Sequence, residues 1–500
     1  MSTINYKLIL KIISQILLIE AGAMLLPLFV AIGSHDPSSM GNGVFPFLIS
    51  VLITAMAGFL LRYFGDPDRN SFGVKEAPLL VTLLWIVLTM FGSLPFLFLG
   101  DFGVTDAFFE TMSGFTTTGS TVIEDIEKCP FSIKLWRSIT QWIGGLGIVF
   151  FIVAVLPSLV KGGRVRVFTA EATGPFRMKL HPKISTSGHY LLCVYAVLTI
   201  LCALGFWACG MSWFDSVNHA MTTTATGGFS TFNDTTSLFN KVSTGSVMLV
   251  FMFLSGANFT ALYGTAMRKQ GMQIWRNSEF LFYVKMIGLA TVFVTIALMF
   301  GKNTDYNFFK AFGQAFFHVV SFATTTGSYG DNIQNWPRFA WFVLFVLMFI
   351  GGCAGSTAGG LKCIRALMLW KIVKNELKRI MHPNAILPLK VSGENVSHVQ
   401  MSTLTGFCVV YMLLCVVTYG ILMVFESGNN NIDTVDGMTI ALSSACNVGP
   451  SLLHTPDDSI SWASLSVPSK WICSFLMLLG RLEILNVLVL FTPSFWKEQQ

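Results

Sequence analysis

Thr116-Thr117-Thr118-Gly119, Thr224-Ala225-Thr226-Gly227, Thr324-Thr325-Thr326-Gly327 and Cys446-Asn447-Val448-Gly449 are four variants of one short turn. Each ends a short apolar stretch, and each lies between two long apolar segments. From 119 to 227 is 108 residues, from 227 to 327 is 100, and from 327 to 449 is 122. A second marker follows every turn: Gly144-Gly145, Gly256-Ala257, Gly351-Gly352 and Gly480. Small residues let helices approach closely, and self-similarity at a near-constant period signals a repeat architecture. The sequence therefore predicts four copies of helix, re-entrant loop and helix around one axis.

The surrounding composition requires a membrane. The chain has 500 residues, 53% hydrophobic and 12% charged, with mean hydropathy +0.64, whereas soluble domains carry about 25% charged residues. Apolar segments near 8–33, 43–62, 77–99, 136–160, 186–209, 243–264, 279–300, 337–372, 399–425 and 469–492 predict an all-α protein with about ten transmembrane helices, since a span needs ~20 residues. The stretches near 105–116, 214–224, 307–324 and 433–445 are too short or too polar to cross. Non-helical backbone at membrane depth survives only when buried in protein or lining a water-filled cavity, so these are read as re-entrant. The expected division is an N-terminal helix pair (1–75) followed by pore repeats at 76–183, 184–276, 277–390 and 391–500.

Charge sets the orientation. One set of connections carries Lys161, Arg164, Arg166, Arg268, Lys269, Lys362, Lys371, Lys374, Lys378 and Arg379, and the alternate set carries Asp101, Asp106, Asp125, Asp215, Asp331, Asp433 and Asp436. The positive-inside rule places the basic set, and both termini, in the cytoplasm. The basic residues are thus a topology signal, and nucleic acid is not an expected partner. The first apolar run, from Lys7, is too long for a secretory signal and is read as a retained helix. The ten cysteines show neither CxxC pairs nor Cys/His ligand spacing, and most lie inside apolar runs.

The turns themselves suit a cation. A dehydrated cation needs oxygens in place of its water shell, and backbone carbonyls supply them without fixed charge. Pointing successive carbonyls one way requires a positive φ, which glycine adopts at little cost. A short helix ahead of each turn would aim its negative C-terminal end at the axis, and the threonines can tie the loops down through their hydroxyls. No HExxH, acidic dyad or nucleophile motif is present, so an enzyme is not expected.

These turns, together with Gln141-Trp142-Ile143-Gly144-Gly145-Leu146-Gly147, Ser255-Gly256-Ala257-Asn258-Phe259, Gly351 to Lys362 and Leu479-Gly480-Arg481-Leu482-Glu483, resemble the Trk/Ktr/HKT superfamily. The initial helix pair makes the likeness closest to its bacterial TrkH-type subunits, over essentially the whole chain. The resemblance implies potassium uptake across the bacterial cytoplasmic membrane through a single-chain pore. It also implies a homodimer and a cytosolic, TrkA-like nucleotide-binding regulator, with no cofactor in this chain. All four turn positions are glycine, which in this superfamily favours potassium over sodium. The fourth turn departs from the pattern, having no threonine, and no repeat has a GYG filter.

The run Gly351-Gly352-Cys353-Ala354-Gly355-Ser356-Thr357-Ala358-Gly359-Gly360 follows only twelve strictly apolar residues, Phe339 to Ile350. It must interrupt a membrane helix. A kinked structural helix is one reading. The resemblance implies an intramembrane gating loop at Gly351, Gly352, Gly355, Ser356, Thr357, Gly359 and Gly360. Leu361 separates Gly360 from Lys362, so the phosphate-loop pattern GxxxxGK[ST] fails. Arg481 lies inside the last apolar segment, where charge is costly and usually functional. Two roles fit it: a positive charge beside the pore that helps close it, or a pin to carbonyls or an acid of another helix. Glu483, two residues on, is not a same-face partner. Glu20 is either a proton-relay group or a structural acid, and His219 and His318 can hydrogen-bond the pore loops. Proton or sodium symport, or transport of another solute, is the alternative to a passive path.

Overall fold

The computed structural model describes residues 4–34, 43–65, 75–145, 147, 184–267, 274–301, 306–384, 387–429, 432–450 and 462–497. Helices α1 (Tyr6–Gly33) and α2 (Val44–Phe64) pack along their length as an N-terminal pair. Four units follow. The first holds α3 (Glu76–Gly92) running on as α4 (Leu94–Leu99), then α5 (Val104–Phe115) and α6 (Phe131–Gly145). The second holds α7 (Ile184–Ala208), α8 (Trp213–Thr224), the one-turn α9 (Thr236–Phe239), α10 (Val242–Ser255) and α11 (Phe259–Met267). The third holds α12 (Ser278–Phe300), α13 (Phe308–Ala323), α14 (Arg338–Ile350) and α15 (Cys363–Met381). The fourth holds α16 (His398–Phe425), α17 (Thr434–Cys446), α18 (Val467–Arg481) and α19 (Ile484–Leu488), and α20 (Pro493–Trp496) ends the described chain. Between the third and fourth units, Lys390–Val391 and Glu394–Asn395 pair antiparallel. Ser392 and Gly393 at their tip both have positive φ, 50° and 88°, as a two-residue primed turn requires.

The polarity pattern is that of a membrane protein with a polar interior. Leu48, Leu52, Met56 and Phe59 on α2, Leu289, Val292, Phe293 and Ile296 on α12, and Val409, Met412, Leu413 and Val416 on α16 are exposed at helical spacing. Water would not tolerate such belts, and lipid does. The short helices α5, α8, α13 and α17 are instead buried through their last two turns, hydroxyl residues included.

Among the described residues six helices are long and apolar enough to cross a membrane, or up to eight when each of two bent pairs is one span. The bends correct the sequence reading, which expected unbroken spans at 243–264 and 469–492. Helices α10 and α11 meet at 101°, and the segments Val467–Arg481 and Ile484–Phe491 meet at 113°. The expected span 337–372 is interrupted at Gly351–Lys362, as its composition suggested. The expected span 136–160 is helical to Gly145, and most of the rest lies outside the described residues. Near the ends of α6 and α18 the helices approach their neighbours closely. A Cβ at Gly144 would sit 1.8 Å from Phe115 O, and one at Gly480 would sit 2.1 Å from Ala445 O. The second helix of each of these units therefore meets the end of its short helix backbone to backbone. At the α10–α11 bend the freed amides are recaptured: Thr260 N and Ala261 N donate to Asn258 Oδ1 at 2.9 and 3.2 Å.

Candidate ion filter and gate

Each short helix gives way to a turn with two left-handed residues. Thr117, Thr226, Thr325 and Asn447 have φ of 55°, 53°, 56° and 53°; two residues later Gly119, Gly228, Gly327 and Gly449 have φ of 87°, 77°, 70° and 102°. The second turn is therefore one residue out of the register expected from sequence: its left-handed glycine is Gly228, and Gly227 is the counterpart of Thr118, Thr326 and Val448. The Gly227-Gly228 pair hid this. The spacing of polar residues could have exposed it, because Glu110, His219 and His318 each stand nine residues before the left-handed glycine in this register. Non-glycine residues at positive φ are uncommon and cost roughly 1–3 kcal/mol each, yet all four turns have one.

The four turns close on themselves. A Cβ at Gly119 would lie 2.1 Å from Gly227 O, at Gly228 2.1 Å from Thr326 O, at Gly327 2.1 Å from Val448 O, and at Gly449 2.3 Å from Thr118 O. Each glycine thus abuts the carbonyl of the equivalent residue in the next turn, first to second to third to fourth and back to first. A head-to-tail contact that closes after four steps is a ring about a fourfold pseudo-axis. Only glycine fits these positions. The C-termini of α5, α8, α13 and α17 converge on it and bring their negative dipole ends.

The hydroxyls serve as ties. Thr116 Oγ1, Thr224 Oγ1 and Thr324 Oγ1 donate to carbonyls four residues back, at 2.7, 2.8 and 2.8 Å. Thr116 and Thr118 share a bond of 2.7 Å, and Thr324 and Thr326 one of 2.9 Å. The fourth turn has other means: Asn447 Nδ2 donates to Thr118 Oγ1 at 3.0 Å and Met477 O at 2.9 Å, and Tyr411 OH donates to Ala445 O at 2.8 Å. In the second turn, where Ala225 and Gly227 have no hydroxyl, Gln141 Nε2 donates to Gly227 O at 2.7 Å.

Behind the ring, in the first three turns, the residue nine before the left-handed glycine holds the strand that leaves the turn. Glu110 accepts from Val122 N at 3.0 Å and from Thr121 Oγ1 at 3.0 Å, and pairs with Arg137 Nε at 2.7 Å. His219 Nε2 meets Ser230 Oγ at 3.2 Å, and Gly330 N donates to His318 Nε2 at 3.2 Å. The histidines act as the sequence suggested. Glu110, Arg137 and Gln141 were missed, although a charge inside the expected span 136–160 was a readable signal. Further along, Asn233 joins the first two exit strands: its Nδ2 donates to Asp125 Oδ1 at 2.9 Å and its Oδ1 accepts from Ile126 N at 2.8 Å. That bond and the Lys128 ammonium hold the Asp125 carboxyl down at about 2.

The loop Gly351–Lys362 packs against the first residues of the turns, on the side of the ring where the short helices end. Its neck is closed by glycine: Gly351, Gly355 and Gly360 have φ of 73°, 73° and 74°, and a Cβ at Gly351 would be 2.3 Å from Gly359 O. Cys363 N donates to Gly352 O at 2.8 Å, and Ser356 Oγ to Cys353 O at 2.6 Å. The loop then touches three turns. Thr357 Oγ1 donates to Thr224 O at 3.1 Å, Gly359 N donates to Thr325 Oγ1 at 2.6 Å, and a Cβ on Gly359 would be 2.1 Å from Cys446 O. The α10–α11 bend and α12 hold its outer side, through Cys353 N to Gly256 O at 2.9 Å, Asn258 Nδ2 to Ala354 O at 2.7 Å and Ala354 N to Glu279 Oε1 at 2.5 Å.

Arg481 brings in the remaining repeat. Its Nη1 donates to Thr357 O at 2.9 Å and its Nη2 to Gly144 O and Gly145 O at 2.5 and 3.0 Å. It is a pin to carbonyls, one of its two expected roles, and the pin fastens the loop to the first repeat. Glu483 (φ 62°) pairs with Arg365, whose guanidinium lies 4.0 Å from the Phe407 ring centroid. Lys362 (φ 78°) donates to Ala358 O. Glu20 stands apart from this assembly, beside Gly92, and among the described residues neither of its carboxyl oxygens has a hydrogen-bond partner. Among the described residues no group of three or more His, Cys, Asp or Glu could hold a metal ion.

Residues 44–498 match the model of the TrkH family, described as a cation transport protein. The chain belongs to the TrkH family. It is 34% identical over 497 residues to the Trk system potassium uptake protein TrkH of Salmonella typhimurium and equally to that of Escherichia coli K12, covering 99% of this chain and 100% of each relative. The crystal structure of the potassium transporter TrkH from Vibrio parahaemolyticus superposes with a TM-score of 0.84 at 32% identity, covering 98% of this chain and 100% of that one. The chain is thus a multi-pass membrane transporter of cations and not an enzyme.

Proposed function

We propose that this protein takes up potassium across a bacterial cytoplasmic membrane, along the axis of the four-turn ring. The closed ring of glycine–carbonyl contacts carries the reading: four equivalent backbone segments around one axis, at the negative ends of four helices, suit a cation that must shed water and then leave. The relatives are potassium uptake proteins. In this reading Thr116–Gly119, Ala225–Gly228, Thr324–Gly327 and Cys446–Gly449 coordinate the ion through backbone oxygens. The loop Gly351–Gly360 and Arg481 form the gate, because they block the inner end of the ring and are held by hydrogen bonds that can be exchanged. The basic connections face the cytoplasm, where a nucleotide-binding regulator of the Trk system docks, and the chain works as a homodimer. The five-part division at 75, 183, 276 and 390 follows the same repeat logic.

Proton coupling is the second reading, favoured by the buried Glu20, whose carboxyl oxygens have no hydrogen-bond partner among the described residues. Flux of potassium, rubidium and sodium into proteoliposomes, with and without an imposed pH gradient, separates the two. Potassium-favouring flux independent of the gradient is expected. Uptake that requires the gradient, and is lost in Glu20→Gln, would establish symport. Equal flux of all three ions would refute the filter.

A further inference from the structure

The second turn is held unlike the first and third. In the first and third turns the residue whose carbonyl meets the neighbouring glycine is a threonine, Thr118 or Thr326, tied by its hydroxyl to Thr116 or Thr324. In the second turn those two positions are Gly227 and Ala225, which have no hydroxyl. The missing tie is supplied from outside. Arg137 and Gln141 stand four residues apart on α6, so their side chains leave the same face. Gln141 Nε2 donates to Gly227 O at 2.7 Å while its Oε1 accepts from Phe229 N at 3.2 Å. Arg137 Nη1 donates to Ser230 O at 3.0 Å, and its guanidinium lies 4.0 Å from the Phe229 ring centroid. One helix of the first repeat therefore grips residues 227, 229 and 230 of the second.

Arg137 is itself fixed. Its Nε bonds Glu110 at 2.7 Å and its Nη2 bonds Thr121 Oγ1 at 3.1 Å, with side-chain exposures of 3% for Arg137 and 0% for Glu110. We propose that Arg137 and Gln141, braced by Glu110, are positioning residues that set the ion discrimination of the filter by fixing the Gly227 carbonyl. The proposal rests on the filter reading above. Gly227 O is also the atom against which Gly119 packs, so a shift there changes two of the four turns at once. A glycine carbonyl with no side-chain tie has the most freedom to move, and an ion cage discriminates only as well as its oxygens are held.

The test uses the full-length protein in proteoliposomes, comparing potassium and sodium flux for wild type, Arg137→Lys and Gln141→Met. Lysine keeps a cation opposite Glu110 but lacks the planar fork that reaches Ser230 and Thr121 together. Methionine keeps the volume of Gln141 but cannot donate to Gly227 O. Each variant is expected to lower the potassium-to-sodium flux ratio about tenfold, the scale of one lost buried hydrogen bond. A purely structural role would lower both fluxes in proportion and leave the ratio unchanged, and that outcome overturns the proposal. If Arg137→Lys does not reconstitute, Gln141→Met decides alone by the same criterion. A wild type without potassium preference would instead overturn the filter reading itself, so the two failures are distinct.

Discussion

The register of the second turn can be tested by placing one methyl group at each of its two glycines. At Gly228, with φ 77°, alanine incurs roughly 1–2 kcal/mol for the left-handed backbone alone. Its Cβ would stand 2.1 Å from Thr326 O, against about 3.0 Å for the tightest contacts real Cβ atoms make. The third turn must therefore retreat by about 0.9 Å, the difference between those two distances. Backbone supplies no flexible end to absorb the shift. Gly227 is different: its φ is not positive, and the added Cβ meets the Gln141 side chain at 2.3 and 2.4 Å. Gln141 can swing aside, at the loss of its bonds to Gly227 O and Phe229 N, about 0.5–1.5 kcal/mol each.

The two substitutions should part company in a Gln141→Ala background. There the clash at residue 227 is gone, so Gly227→Ala should cost little further thermal stability, giving a coupling energy of about 1–3 kcal/mol in a double-mutant cycle. Gly228→Ala should gain nothing from that background and should also lower the potassium-to-sodium flux ratio. Unfolding in detergent and ion flux in proteoliposomes read the two effects. A Gly228→Ala variant with normal stability and selectivity, or absence of coupling between 227 and 141, would refute the register and the ring geometry with it.

Other expectations concern the loop and its supports. Thr325→Val keeps the side-chain shape but leaves Gly359 N, deep against the third turn, without its acceptor at 2.6 Å; an unmet buried donor costs about 1–3 kcal/mol, so regulator-free potassium flux should rise. Arg481→Gln shortens the pin to Gly144 O, Gly145 O and Thr357 O and should raise regulator-free flux further, whereas unchanged flux would remove Arg481 from the gate. Breaking the Arg365–Glu483 pair singly, by Glu483→Leu, should cost about 3–5 kcal/mol in unfolding measurements. Replacing both partners by Arg365→Met and Glu483→Leu should cost less, because no charge is then left unpaired.

Much of this architecture was legible in the chain because it is periodic. The short helices, the turns and the interruption at Gly351 all announce themselves by composition. What was not legible is what periodicity averages away. Hydropathy reads 243–264 and 469–492 as continuous because the stretches flanking Gly256–Asn258 and Arg481–Glu483 are predominantly apolar, and a bend changes direction without changing the average polarity. The turn register failed at Gly227-Gly228 because either glycine satisfies a one-glycine rule, and only a distant carbonyl, Thr326 O, chooses between them. The Glu110–Arg137 pair and the Gln141 grip join residues 27 and 86 positions apart, and no local pattern encodes such partners.

The left-handed threonines link ring and loop. A residue that leaves the helical track at φ near 55° also turns its side chain off that track, and in three of the four turns this delivers it to the loop. Thr226 Oγ1 meets Thr357 Oγ1 at 3.2 Å, Thr325 Oγ1 accepts from Gly359 N at 2.6 Å, and a Cβ on Gly359 would be 3.1 Å from Asn447 Cβ. The first repeat joins by another route, through the Gly144 and Gly145 carbonyls that Arg481 holds. Strain of this kind persists only where surrounding contacts over-determine it, and here the loop is among those contacts. Moving the loop removes the Thr226–Thr357 and Thr325–Gly359 bonds, leaving the Thr226 hydroxyl only its bond to Ala225 O at 2.7 Å, and so lowers what holds their backbone left-handed. Because those residues sit two positions before Gly228 and Gly327, whose neighbours' carbonyls form the ring, displacement of the loop is expected to relax the proposed filter at the same time. A filter built on unstrained turns could be opened without losing its shape; in the proposed reading the two are coupled, and the potassium-to-sodium flux ratio is expected to fall when the loop is displaced.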